Sequence, residues 1–477
     1  MNHRTPDHAA FPHVADTHGA EHPEALNSDT DARVAPDSVR NNLAAGRALR
    51  TRVPISTLGT LTVRPDRDPL AIISEQNQTR LPELLPLRKE RMSKSAFTFY
   101  RGTAALMAAD LAGAPHTNLL VPSCGDAHLS NFGFYASPQR TLVFDLNDFD
   151  EAAWAPWEWD LKRLITSIIV AGQASSRDPQ VVREAVFATV TQYASALRAS
   201  VQVSALQRFY SRIEPEATLK YLPDVTKKAL KKAMKQAKKR TAERAVSKLT
   251  TTNEAGTLSF VLNPPTMTPV DDQVLHSHHA LLQRYEESAS PDIQLLLLHY
   301  SFADAARRVV GVGSVGTRCT LHLFQDADGN ALILQAKESK HSVLEQYGNI
   351  LQPRRLHQIV SQQGEGARVV GMQRILQAVS DPFLGYLQSE GRDFYVRQFH
   401  DMKGGVDAET LDDESFGVYA VACGITLARA HSQSVRAPLV SGYVGGGKHL
   451  AEALYDWGLA YSRLAQSDFE QYVSAGS

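Results

Sequence analysis

Three glycines within six residues, Gly311-Val312-Gly313-Ser314-Val315-Gly316, constrain this chain most, because a strand pattern and not a helix pattern comes directly after them. A dinucleotide-binding fold needs a helix to open at the last glycine, so that its N-terminus meets the pyrophosphate. Here residues 317–324 alternate like a strand, and the turn Asp326-Ala327-Asp328-Gly329-Asn330 leads into a second strand over 331–337. The glycines therefore predict a β-hairpin that covers phosphates, with Lys337 at the end of the next strand as the point charge that pairs with them. Alone, the glycine pattern is a weak signal and Lys337 an ordinary strand-end lysine. Loop, strand and lysine together favour a phosphate site.

A second constellation lies upstream, in the loop Cys124-Gly125-Asp126-Ala127-His128-Leu129-Ser130-Asn131. Two β-rich runs, 132–135 and 141–145, read as a hairpin that ends in the acidic segment Asp145-Leu146-Asn147-Asp148-Phe149-Asp150-Glu151. Phosphoryl transfer needs a carboxylate to orient the attacking hydroxyl, and an amide with a second carboxylate to hold Mg²⁺ against the phosphates. A loop bearing Asp126 and Asn131, with an acid returned beside it, provides those groups. The competing reading is a polar turn with an Asp–His hydrogen bond, which the downstream acids make less economical.

The chain has 477 residues, enough for two or three domains with a large core. Its 50 basic and 51 acidic side chains exclude a whole-protein attraction to nucleic acid or membrane and leave local patches open. Three scattered cysteines, Cys124, Cys319 and Cys423, form neither a disulfide framework nor a metal motif, which suits a reducing, cytoplasmic compartment. Residues 1–40 read as a disordered tail without a secretory pattern. The longest apolar runs, such as 164–172, fall short of the roughly 20 residues that span a bilayer, so a soluble protein with no membrane partner is expected.

Residues 41–91 read as an irregular wrapping segment. Helices are predicted over 96–112, 159–199, 273–287, 292–307, 368–378, 416–432 and 449–472, and further strands over 118–122, 383–388 and 393–399. Residues 226–248 depart most from the balanced charge, with ten Lys or Arg against Glu243, and predict a basic amphipathic helix. It reads either as the solvated face of a helical insertion or as a dock for an anionic partner.

The stretch Gly125-Asp126-Ala127-His128-Leu129-Ser130-Asn131 resembles the catalytic loop of aminoglycoside phosphotransferases and related small-molecule kinases. Asp148-Phe149-Asp150, with Asp160-Leu161 after it, is similar to their metal-binding segment and the trailing aspartate that braces the loop. Residues 91–102, 124–134, 144–163, 312–318 and 394–404 together resemble the bacterial domain-of-unknown-function 2252 family, over roughly residues 45–472. That family is usually placed in the protein-kinase-like superfamily, and no substrate comes with it.

The resemblance implies an α+β, two-lobed protein-kinase-like fold using ATP and Mg²⁺ on an unidentified small-molecule or protein acceptor. It makes Asp126 the base or hydroxyl-orienting carboxylate. Asn131 and Asp148 become metal ligands, with Asp150 as a further one and Asp145 as a rival at the strand end. Gly311, Gly313, Ser314 and Gly316 cover the nucleotide, and Lys337 contacts its phosphates. Glu345 and Glu365 are candidate partners of Lys337. His128 is either a second partner of Asp126 or structural. Arg101, Arg163, Arg397 and Lys403 either bind phosphate or pair with carboxylates, and Trp154, Trp157 and Trp159 read as packing.

The order of parts departs from that superfamily. The glycine segment, the lysine and a helix ending in Leu427-Ala428-Arg429-Ala430-His431 come after the catalytic loop instead of preceding it, which reads as a circular permutation. Expected units are residues 41–310 for the wrapping segment and catalytic-loop lobe with its basic insertion, 311–400 for the β-rich nucleotide lobe, and 401–477 for helices packing on the catalytic lobe. An ATP-binding pseudokinase, a nucleotidyltransferase on the same fold, a metal-dependent phosphoesterase and a nucleic-acid-binding protein are the alternatives.

Overall fold

The alternation in residues 317–337 resolves, in a computed structural model, into the middle of a six-stranded antiparallel sheet. The structure describes residues 37–475 except 222, 223, 255, 310 and 400–403, so the tail expected over 1–40 falls outside it up to residue 36. The sheet runs Gly385–Ser389, Arg392–Gln398, Ala331–Ser339, Cys319–Gln325, Ser301–Arg308, Met267–Pro269. Lys337 pairs with Tyr395 on one side and Cys319 on the other. Because side chains alternate faces, Gln335, Lys337, Tyr395 and Arg397 share one face. On that face Leu321, Leu323 and Ile333 are apolar and buried with Phe260 and Phe399, and the polar residues continue the row.

The helix expected over 292–307 is corrected. It ends after Pro291–Leu297, and Ser301–Arg308 is a strand paired with Cys319–Gln325. Its alanines favour a helix locally, but pairing with a formed strand overrides so weak a preference. The glycine segment thus joins two neighbouring strands, as a hairpin requires.

Residues 41–91 are also more regular than expected. Ser38 caps Val39–Leu49 by accepting from the Asn41 amide, Asp68 caps Pro69–Gln78 by accepting from Ala71, and Leu85–Met92 comes next. Arg67 then ties this segment to distant parts of the chain, pairing with Asp110 at 2.7 Å and with Asp468 at 2.6 Å. Val39–Leu49 packs on Ala437–Val444, a helix with no clear signal in the sequence.

Several long periodic runs break where a cap or turn intervenes. Residues 96–112 form Ala96–Arg101 and Ala104–Ala112, and 159–199 form Trp157–Ala174 and Pro179–Ser200. The stretch 273–287 forms Asp272–His276 and His278–Glu286. The basic run divides into Asp224–Lys238 and Ala242–Leu249, because Thr241 caps the second helix through the Arg244 amide. Arg354–Leu376 is longer than the predicted 368–378 and kinks at Gly364. Asp413–His431 and Lys448–Ser474 close the chain and share one large apolar core with Trp157–Ala174 and Pro179–Ser200. Among the described residues no helix is long and apolar enough to cross a membrane.

Candidate active site

The strand Leu120–Ser123, paired with Ala153–Pro156, delivers the chain into the loop at 124–131. Gly125 has φ +78°, and a Cβ there would strike the carbonyl oxygen of Glu151, so the loop and the acidic segment approach through a position only glycine fills comfortably. Asp160, on the helix Trp157–Ala174, accepts from the amides of Cys124 at 2.6 Å and Gly125 at 2.9 Å. His431, at the end of Asp413–His431, meets Asp160 at 3.3 Å and holds the Tyr193 hydroxyl at 2.9 Å. Two helices far apart in sequence therefore fix the start of the loop.

Asp126 accepts from Arg163 Nε at 2.9 Å and lies 3.6 Å from His128 Nε2. Its side chain is 23% exposed. Burial raises its carboxyl to about 6 even though Arg163 opposes the shift. Burial, then Arg101 and Arg163, hold His128 neutral, well below the ordinary histidine value. Arg163 also donates to the Tyr100 carbonyl at 2.6 Å and lies over the Tyr100 ring, so its role is to pair with and orient Asp126. Arg101 sits close enough to feel the Asp126 charge, and its buried Nε has no partner among the described residues.

Asn131 joins the two loops. Its Nδ2 donates to the carbonyl of Asp126 at 3.0 Å and to that of Asp148 at 3.1 Å. The hairpin Phe132–Ala136 and Leu142–Leu146 places Gly133 opposite Asp145 and carries the chain back to Asp148 and Asp150. Asp145 is set apart from them. Its buried oxygens accept from the amides of Leu146 at 2.9 Å and Ala378 at 2.7 Å and from Arg429 at 3.3 Å, an anchor for the end of the long helix.

Lys337, 3% exposed, forms an ion pair with Asp150 and lies 3.5 Å from Asp148 Oδ1. Burial lowers its affinity for a proton, but Asp148 and Asp150 together outweigh that and hold it well above the ordinary lysine value. Tyr395, its neighbour across the sheet, donates to Asp150 Oδ1 at 3.0 Å. Arg397 bonds Gln335 at 2.9 Å and feels both acids. Glu345 and Glu365, the acids expected beside Lys337, are not its partners: Glu365 pairs with Arg368 at 2.5 Å and with His341 at 3.0 Å, and Glu345 with His341 at 3.9 Å.

The long helix contributes Arg368 instead. Fully buried, it donates to the carbonyls of Ala152 at 2.6 Å, Asp150 at 3.0 Å and Lys340 at 2.7 Å. One side chain thus holds the acidic segment and the end of the Lys337 strand together. Neither Arg368 nor Tyr395 stands out in the sequence; an arginine flanked by Ala367, Val369 and Val370 on a buried helix face is the sign that was there.

The glycine segment is docked rather than free. Arg91 donates to the Gly311 carbonyl at 2.6 Å, Arg80 to that of Val315 at 2.5 Å, and the Leu81 amide to that of Gly316 at 2.8 Å. Gly313 rests against the backbone of Arg101, and Gly311 and Gly316 have positive φ. Trp157 and Trp159 are buried in the core and Trp154 packs against it. Lys403 lies outside the described residues.

A cavity of about 470 Å³ opens between the Lys337 strand and the hairpin over 132–146, and none of Asp126, Asn131, Asp148, Asp150, Lys337 or the glycine segment lines it. Gln335 and Arg397, from the face of Lys337, line it together with Asn147, Gln373, Tyr135 and Phe399. The buried Gln373 Oε1 has no hydrogen-bond partner among the described residues.

As a metal site, Asp148, Asp150 and the side-chain carbonyl oxygen of Asn131 offer all-oxygen donors suited to a hard cation. Among the described residues no group of three or more His, Cys, Asp or Glu side chains is gathered for a metal. The residues present fit Mg²⁺, which uses one or two carboxylates and takes its remaining ligands from phosphates and water.

A family whose description reads "uncharacterized protein conserved in bacteria (DUF2252)" matches residues 80–475, and the chain belongs to that family. No curated protein and no solved structure matches it.

Proposed function

We propose that this chain is a Mg²⁺- and ATP-dependent phosphotransferase on a two-lobed, circularly permuted protein-kinase-like fold, acting on an acceptor hydroxyl still to be identified. The observation that carries the reading is the grouping of Asp126, Asn131, Asp148, Asp150 and Lys337, drawn from two loops and a distant strand around one place. Asp126 would orient the acceptor hydroxyl and take its proton as the new O–P bond forms and the bond between the β- and γ-phosphates breaks, with ADP leaving. Lys337 would exchange its acids for the phosphates. Mg²⁺, held by Asp148, Asp150 and Asn131, would neutralise phosphate charge. The cavity lined by Gln335 and Arg397 would admit a base and ribose, and the orphaned Gln373 oxygen favours a ligand that donates a hydrogen bond.

Supporting the permuted reading, the sheet, its glycine turn and the kinked helix come after the catalytic loop in sequence, and His431 reaches back to the loop's brace. A metal-dependent phosphoesterase built on Asp126, His128 and Asn131 would need further histidine ligands beside them, and none is gathered there among the described residues. The deciding measurement is calorimetry of the purified chain with ATP and Mg²⁺, then a screen of ATP consumption against small-molecule and protein acceptors beside Asp126→Ala. No nucleotide binding at millimolar concentration sinks the reading. Transfer of AMP rather than phosphate to an acceptor would replace it with nucleotidyl transfer.

A further inference from the structure

We infer that the outer face of the helix Asp224–Lys238, with the basic residues that follow it as far as Lys248, forms a docking surface for single-stranded nucleic acid, held through its phosphodiester backbone. Lys228, Lys231, Lys232 and Lys235 stand three and four residues apart, on one helix face, and are all exposed. Lys239, Arg240 and Lys248 extend the surface. None of these seven has an acidic partner among the described residues, whereas Lys227 pairs with Asp224 and Lys238 with Glu216 at its margins. A row of about seven uncompensated charges attracts a regularly spaced polyanion and releases that polyanion's counterions on contact.

The opposite face of the helix decides which polyanion. Met234 and Ala237 are buried, Leu230 and Ala233 pack on the same core, and Ala237 touches Gly404. That apolar face is therefore not available to enter a bilayer, as an interfacial helix would require. Nor is the helix free to enter a duplex groove, where a recognition helix is surrounded by DNA. Among the described residues of this helix a single large apolar side chain, Val225, is exposed beside the lysines, too small an anchor to grip a folded acidic protein. A flexible strand lying along such a face suits it best. Phe209 and Tyr210, on the earlier helix Ala205–Tyr210, are 60% and 70% exposed and meet edge-on at 5.3 Å, ring faces of the kind on which unpaired bases stack.

The test is fluorescence anisotropy with oligo(U) and oligo(dT) of about 20 nucleotides, over about 50 to 200 mM salt. Wild type is expected to bind either or both with a steep salt slope. Replacing Lys228, Lys231, Lys232 and Lys235 by Gln, which keeps the helix and touches no ion pair, should flatten that slope by about 3, so that wild type loses about 50-fold more affinity across the range than the variant. Phe209→Ser with Tyr210→Ser should weaken binding about tenfold and leave the slope alone. Unchanged melting temperatures check that both variants fold. Absence of binding to both strands at low salt, or a slope unaltered in the lysine variant, overturns the inference. So does equal or stronger lysine-dependent binding to duplex DNA, to anionic phospholipid vesicles or to polyglutamate.

Discussion

Arg368 donates to the carbonyl oxygen of Asp150 at 3.0 Å, so the long kinked helix grips the backbone of the acidic segment and leaves the Asp150 carboxylate to Lys337 and Tyr395. The guanidinium is fully buried, and three of its four other hydrogens go to Ala152, Lys340 and Glu365.

Removing that guanidinium strands three carbonyls and leaves the Glu365 carboxylate with His341 alone. Arg368→Ala should cost about 3 kcal/mol or more in urea unfolding. Arg368→Lys, which restores charge but not the planar fork, should recover only part of it. A loss below about 1 kcal/mol for Arg368→Ala would show that the two segments are held elsewhere.

Asp126→Asn keeps the side chain's size but removes its capacity to take a proton. Under the proposed chemistry the variant should bind Mg²⁺ and ATP as wild type does in calorimetry, while turnover falls by about 10² or more. A parallel loss of nucleotide affinity would move Asp126 from the chemical step to binding.

Acid sensitivity arises from the same carboxyl. Burial lifts it from 3.8 to about 6, so the folded chain keeps this proton up to a higher pH than the unfolded chain. Asp126 accordingly contributes stability that is present at low pH and lost as pH rises from about 4 through about 6. Under the proposed chemistry turnover would need the carboxylate and should fall below about pH 6. Arg163→Gln removes a charge that opposes the shift, and the acid limb of kcat/KM should move to higher pH. A flat profile between about pH 5 and 7 would contradict the assignment.

Lys337→Met leaves Asp148 and Asp150 facing each other without their shared cation. The variant should lose stability, and Mg²⁺ should restore more of it than it adds to wild type, because a divalent ion relieves the same repulsion. Differential scanning fluorimetry across a Mg²⁺ titration reads this directly. Equal shifts in variant and wild type would mean that the two acids do not hold the ion.

The parts legible in the sequence are those set by short-range chemistry. The hairpin over 132–146, the strands Cys319–Gln325 and Ala331–Ser339, and the turn between them announce themselves by alternation and by Asp-Gly-Asn signals. Ser301–Arg308 is hidden because its alanines speak for a helix and only its partner strand speaks otherwise. Lys337, Asp148 and Asp150 could each be singled out from the chain, but their pairing could not: Glu345 and Glu365 are nearer to Lys337 in sequence, yet the fold turns them to His341 and Arg368. Likewise the seat of the glycine segment, on Arg80, Arg91 and Arg101, joins residues more than two hundred positions apart, which no local pattern records.

Arg67 holds Asp110 on one side and Asp468 on the other, across 401 positions of chain. During vectorial synthesis the ribosome has made Arg67 and Asp110 long before Asp468 emerges. The nascent chain therefore carries a half-closed clasp, and the native arrangement of its early helices must wait for translation to reach the last one. A chain that stops anywhere before Asp468 leaves Arg67 with one of its two carboxylates, so the clasp closes only on the finished helix Lys448–Ser474.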